Sequence, residues 1–382
     1  MKVRYEYFYP SLLLLTLAAV GGYILLYEWG LLIPAFLLLL LLRRQQKNGG
    51  YRSFFTLYVP MGSVALLFTY FLTLSIVYYR ERLLWGDWAF ESLRIFVDGF
   101  VQAHARYTMY VTELLPLFGI KLKLSLNAVL ILYSVGFLTI PVILTGILSL
   151  TVKNKYLVLL PLLPYLLSRE IFYSLTDSIV SLSISAAALG LAITAPEQDT
   201  RRRYILLTGA ALLLYISISI YHAHPISAFM ALMIAMILFF IPGAHMREKV
   251  AFGVMIFLLI FMKYFVFLNE YEKSRVGSLA DMLNRLLRIK ESRMLDYILR
   301  FYRDNHPLTL IVSGIYLLYL TLTGERRAIW MVGSLLVGLA VATVYLSVFA
   351  WAGEGPAAME YYALLLPGYA GVFSGGHDQY FS

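Results

Sequence analysis

Cysteine is absent from the chain, so disulfides, thiol nucleophiles and cysteine metal sites are excluded. Without it the redox state of the compartment leaves no mark on the sequence. Charge is scarce as well. Only 14% of the 382 residues are Asp, Glu, Lys or Arg, against roughly a quarter in ordinary soluble domains. Much of the surface must therefore face something other than water. Acids are scarcer than bases, 22 against 31, which leaves a net charge of +9. No basic stripe on a soluble domain goes with that excess, so nucleic-acid binding is not expected. Phosphate-loop, dinucleotide-loop, zinc-protease and serine-elbow motifs are all missing. No internal repeat stands out, which removes the usual sign of an inverted-repeat transporter.

What is present is apolar sequence. Hydrophobic residues make up 60% of the chain, and 30 tyrosines and 24 phenylalanines suit the interfaces between membrane and water. A helix needs about 20 mostly apolar residues to cross a bilayer, and by that measure the chain divides into about eleven spans. They lie at residues 8–26, 29–42, 54–78, 128–150, 156–167, 178–195, 204–221, 226–241, 251–268, 308–321 and 329–351. The expected fold is all-α, a single polytopic transmembrane bundle over residues 1–382 with amphipathic interfacial helices on its outer side. The basic start and apolar run of residues 1–22 resemble a signal peptide, but apolar sequence resumes at once, so an uncleaved anchor is expected.

The short turns are basic. Arg43, Arg44, Lys47 and Arg52 share one turn, Lys153 and Lys155 another, Arg201, Arg202 and Arg203 a third, and Arg326 and Arg327 follow Glu325. Residues 243–249 close the same pattern. Such turns mark the cytoplasmic side, which sets the chain in a plasma (inner) membrane with its N-terminus inside. The longer, acid-bearing segments 79–127 and 269–306 then fall outside, as extracytoplasmic loops. In the second, leucines recur near helical spacing among Arg285, Arg288, Arg293 and Arg303, the pattern of a cationic helix lying on the membrane.

The first outer segment carries the candidate chemistry. Glu91, Arg94, Asp98 and Gln102 recur at spacings of three and four, one polar face of a helix. That face could simply meet water, with Glu91 and Arg94 as an ordinary ion pair. It could also be the wall of a site, with Asp87, Glu91 or Asp98 as general base or as ligand of a hard cation beside a phosphate. His104 and Arg106 could hold a lipid-linked phosphate or contact headgroups. Arg169 and Asp177 lie in the next outer loop, where Asp177 could cap the helix that follows. His222 and His224 stand two apart before Pro225. On a helix that spacing diverges and no third ligand is near, so phosphate or substrate contact competes with metal.

This layout resembles the GT-C superfamily of polytopic glycosyltransferases over about residues 54–242. The acid-bearing outer loop matches at 85–127 with Asp87, Glu91 and Asp98. YSLTDSIVSLSISAAALGLAI, with Asp177, matches the later outer loop and span. YHAHPISAFMALMIAMILFF matches the turn and span after it. The acidic loop here follows the third span rather than the first, and no large C-terminal soluble domain is evident. The resemblance implies inverting sugar transfer from a polyprenyl-phosphate donor, with membrane lipids as partners; the cofactor is left open, with a divalent cation as the candidate. A carboxylate, Asp87 or Asp98, would deprotonate the acceptor. Arg94, His104 or Arg106 would steady the departing phosphate. The other reading is a transporter, flippase or integral subunit of a complex. Only Lys263 and Ser178, Ser181, Ser183 and Ser185 place polar groups within spans to support it.

The lack of cysteine makes the topology directly testable. Lys153→Cys and Arg201→Cys should react with a membrane-impermeant maleimide only after the membrane is opened. Lys121→Cys and Lys273→Cys should react in intact cells. Labelling of all four from outside would reject the assignment of sides.

Overall fold

The computed structural model describes residues 59–83, 87–100, 110–167, 177–221, 225–240, 245–266 and 279–292, with residues 295, 296, 300, 303, 311, 315, 318 and 322. Among these the structure is entirely helical and holds no strand. The spans at 8–26, 29–42 and 329–351, most of 308–321, and the basic turns at 43–52 and 325–327 lie outside the described residues. Three described helices are long and apolar enough to cross a bilayer, Pro60–Val77, Leu126–Thr151 and Ile179–Glu197. Lys155–Leu166 and Met230–Phe239 are apolar but shorter. These helices are consistent with an integral membrane protein.

Helix α1 (Val59–Val77) runs into the short α2 (Tyr79–Leu83), and α3 (Asp87–Asp98) follows. Helices α4 (Tyr110–Lys121) and α5 (Leu126–Gly136) form a tight hairpin. Helix α6 (Thr139–Thr151) leads to a 3₁₀ segment, Lys155–Leu162, and α7 (Leu163–Leu167). Next come α8 (Asp177–Thr194), α9 (Thr200–Tyr215) with a π-helical end at Ile216–Tyr221, α10 (Pro225–Phe240) and α11 (Met246–Phe261). Helix α12 (Leu279–Leu287) closes the described set.

Helix α8 is the hub. Every residue from Ile179 to Pro196 is buried, and α6, α7, α9, α10 and the 3₁₀ and π segments pack around it. Its small residues let the neighbours approach. A Cβ on Gly190 would sit 3.2 Å from Leu148 and 3.4 Å from Leu160. Its serines divide by helical geometry. Ser181 and Ser185, four residues apart, share a face, and both hydroxyls lie 2.8 Å from the Ser217 hydroxyl. Ser183 faces the other way and donates to the Pro161 carbonyl at 2.7 Å. Around this hub the outer helices turn apolar residues outward, among them Ile143 and Leu150 of α6 and Val254 and Phe257 of α11. Such surface suits lipid rather than water.

Prolines shape the spans. A proline has no N–H to give the carbonyl four residues back, and in apolar surroundings that carbonyl must find another donor. Pro141 releases the carbonyl of Phe137. The Tyr165 hydroxyl of α7 donates to it at 2.7 Å. The expected span 128–150 is therefore two helices, α5 and α6, joined at Phe137 and Leu138 and running together from Leu126 to Thr151. Pro164 lacks the N–H that a 3₁₀ turn would return to Pro161, and Ser183 supplies it. Pro161 and Pro164 also explain why the expected span 156–167 begins as 3₁₀ rather than α-helix. Pro116 in α4 releases the carbonyl of Thr112, and Gly136 of α5 packs onto that oxygen so closely that a Cβ would stand 2.1 Å from it.

The basic turns also close helix ends. Lys155 Nζ donates to the carbonyls of Ser149 and Val152 at 2.8 and 2.9 Å, at the end of α6. Lys249 Nζ donates to Phe239 at 2.8 Å, at the end of α10. Arg203 pairs with Glu248 at 3.2 Å, largely buried, and donates to the carbonyls of Pro196 and Gln198. Cations placed at helix C-termini satisfy free carbonyls and oppose the dipole. Asp199 accepts from Arg202 N–H at 3.0 Å and caps the start of α9.

The helix expected through 279–302 is interrupted. After α12 a 3₁₀ turn covers Ile289–Glu291, and the Ser292 hydroxyl accepts from Leu295 N–H at 3.4 Å, starting a new helix. A serine that can cap competes with continued helix.

Tyr165→Phe should lower stability by about 1–3 kcal/mol, because a buried carbonyl loses its donor. The same change in a Pro141→Ala background should cost clearly less, because an alanine there restores the N–H. Denaturation midpoints of the four proteins check this, and equal costs in both backgrounds would contradict it. Gly136→Ala should destabilise by about 1–3 kcal/mol or more, since its new methyl meets backbone rather than a mobile side chain.

Candidate functional site

The end of the bundle away from Lys155 and Arg203 gathers α2, α3, α7 and the start of α8. Helix α6 runs from Thr139 towards Leu148, which packs against Gly190 near the far end of α8. Phe137 and its partner Tyr165 therefore sit towards the beginning of α8. The Ser181–Ser217 contact brings the start of the π segment to this same end of α8.

Helix α3 begins at Asp87 and stops at Asp98, where Gly99 takes a φ of 76° that a side chain would resist. Among its described side chains Ile95 alone turns into the protein, 2% exposed. Leu93, Phe96 and Val97 form an exposed apolar stripe on the other side, while Phe100, past the helix end, sets its ring 4.8 Å from that of Tyr110. Arg94 and Asp98 lie along the edge between, about two-fifths exposed, with Arg94 Nε donating to Asp98 Oδ2 at 2.8 Å. Arg94–Asp98 is thus an ion pair at i,i+4 on this helix, and the expected Glu91–Arg94 pair involves a side chain outside the described set. Exposed pairs of this kind contribute roughly 0–1 kcal/mol, so it orients the two groups more than it stabilises the fold.

The structure places the backbones of Asp87 and Glu91 on α3, and that of Asp177 at the first residue of α8. Asp177 is therefore the opening helical residue, where an acid suits the dipole. The side chains of these three are outside the described set. His104, Arg106, Arg169, His222 and His224 lie outside the described residues altogether. Pro225 opens α10, the first-turn position that proline tolerates best.

The hairpin beside α3 is closed by hydrogen bonds from Lys123 N–H to Ile120 and from Leu124 N–H to Gly119. Lys123 takes a positive φ of 56° there, and Ser125 caps α5 by accepting from Ala128 N–H at 3.4 Å. Thr112 and Glu113 of α4 are fully buried. Tyr79 donates to Asn127 at 3.1 Å and ties α2 to α5.

Arg82 is the residue the sequence did not single out. It stands in α2, just beyond the span that ends at Val77, and it is completely buried. Its Nη1 donates to the hydroxyls of Ser75 and Ser134, the latter at 3.1 Å, so one side chain of α2 touches α1 and α5. Burial pushes the guanidinium down to about 10, with the Tyr165 hydroxyl acting the other way. It remains charged at neutral pH. The signal in the sequence was an arginine within one turn of an apolar span, but its burial depends on Ser134, 52 positions later. Among the described residues no three His, Asp or Glu side chains gather as a metal site would require.

No protein-family model matches the chain, and no characterised protein or solved structure matches it either.

Ser134→Ala should cost about 1.5–3 kcal/mol, because a buried charge loses one of two neutral acceptors. A denaturation midpoint equal to that of the unsubstituted protein would show that the contact carries no weight.

Proposed function

We propose that the chain is an integral-membrane glycosyltransferase of the GT-C kind. It moves a sugar from a polyprenyl-phosphate carrier to an acceptor on the extracytoplasmic side, within a bundle of about eleven spans. The observation that carries this reading is α3. It sets an exposed apolar stripe, Leu93, Phe96 and Val97, beside a polar edge bearing Arg94 and Asp98. A helix of that form lies where a lipid-borne phosphate and a water-borne acceptor meet.

Asp87 serves best as the base. It takes the acceptor's hydroxyl proton as the new C–O bond forms at the anomeric carbon, and the carrier phosphate departs with the old bonding pair. Asp98, already bound to Arg94, positions that guanidinium towards the leaving phosphate. Glu91 lies between them along the same helix, and Asp177 opens α8. His104, Arg106, Arg169, His222 and His224 complete the phosphate and acceptor contacts in this reading.

The transporter reading has lost part of its support. The hydroxyls of Ser181, Ser183 and Ser185 bond within the bundle, and α8 presents no open face from Ile179 to Pro196.

Asp87→Asn should lower transfer from a polyprenyl-phosphate sugar by about 10²–10⁴-fold. Asp98→Asn should chiefly raise KM for the donor. Full activity in both folded variants would overturn the assignment.

A further inference from the structure

Arg82 is held on one side only. Ser75 and Ser134 accept from Nη1, while Nε and Nη2 have no hydrogen-bond partner among the described residues. Nη1 lies on the Cδ side of the guanidinium, so the two unused nitrogens carry the parallel N–H pair on its opposite edge. That pair is the fork which matches two oxygens of one anionic group. Two serine hydroxyls are neutral and do not offset the charge, and no carboxylate pairs with Arg82 among the described residues. Water could satisfy the donors but would leave a buried cation without a counter-charge, an expensive arrangement. A polar group left so in a folded core calls for a missing partner.

The position selects the kind of anion. Arg82 follows a span whose last residues, Ile76, Val77 and Tyr78, are exposed and largely apolar. Its guanidinium reaches back to Ser75, just inside the end of that span, close to the depth where a bilayer carries its phosphates.

We propose that Arg82 is the recognition residue of an oxyanion site, which takes two oxygens of a single phosphate group on the fork formed by Nε and Nη2. The phosphate comes from a lipid headgroup or from free phosphate, and the chemistry is the same. The site does not depend on the transferase reading, since it would serve any phosphate-bearing lipid.

The test uses the full chain, purified in phosphate-free detergent. The probes are short-chain phosphatidic acid, diacylglycerol of the same chain length, and inorganic phosphate. Arg82→Met removes the charge and keeps the bulk, so it should fold at least as well as the unsubstituted protein when no phosphate is present. Phosphatidic acid should raise the thermal midpoint of the unsubstituted protein and leave that of Arg82→Met unchanged, while diacylglycerol moves neither. Arg82→Lys, which keeps charge but lacks the fork, should weaken phosphatidic acid binding by roughly tenfold or more. Competition by inorganic phosphate would assign the site to a free anion, and its failure to compete would assign it to a headgroup. The proposal is overturned if Arg82→Met unfolds well below the unsubstituted protein without ligand, because the arginine is then a structural stitch. It is equally overturned if phosphatidic acid binds all three proteins alike.

Discussion

A carbonyl that has lost its N–H to a proline cannot turn to water inside an apolar bundle. Prolines impose that condition here, and for two of the carbonyls the fold supplies a hydroxyl. A tyrosine from α7 serves Phe137 and a serine from α8 serves Pro161, while at Thr112 a glycine lets α5 approach closely. Each remedy couples two elements distant in sequence. The kink between α5 and α6 therefore fixes where α7 stands, and the 3₁₀ segment is pinned against α8. The central helix owes its complete enclosure to these ties as much as to its small residues.

The two ends of the bundle use charge differently. At one end Lys155, Lys249 and Arg203 are spent on helix carbonyls and on Glu248, so they serve local structure as well as orientation. At the other end charge is left for other uses. Arg94 and Asp98 hold each other at a half-exposed edge, and one edge of the Arg82 guanidinium meets no acceptor among the described residues. In the proposed function that second end is the outer one, and the acid-bearing helix forms the wall of its site.

Much of this was legible from residue order alone. Long apolar runs locate α1 and α8, and Pro225 marks the start of α10, because hydropathy and proline act locally. The break between α5 and α6 was less visible. Pro141 sits near the start of α6, and only the position of Tyr165 shows where its freed carbonyl goes. The Arg94–Asp98 pair follows from the i,i+4 spacing that brings side chains together on a helix. Arg82 was hidden for a different reason: its burial and its serines come from helices that meet only in three dimensions. Asp199, Ser125 and Ser292 act as caps through hydroxyl or carboxylate contacts that their turns permit but do not advertise.

The account stands or falls on how α3 lies. The chain has no cysteine, so spin labels can be placed singly at Leu93, Arg94, Phe96, Val97, Asp98 and Phe100 in protein reconstituted into bilayers. Collision rates with oxygen and with a water-soluble nickel chelate then report which positions face lipid. Oxygen access is expected at 93, 96 and 97 and chelate access at 94 and 98, following the helical period, with 100 as a reference past the helix end. Uniform chelate access at all six would contradict it, because α3 would then be a helix in water and no wall of a membrane-surface site.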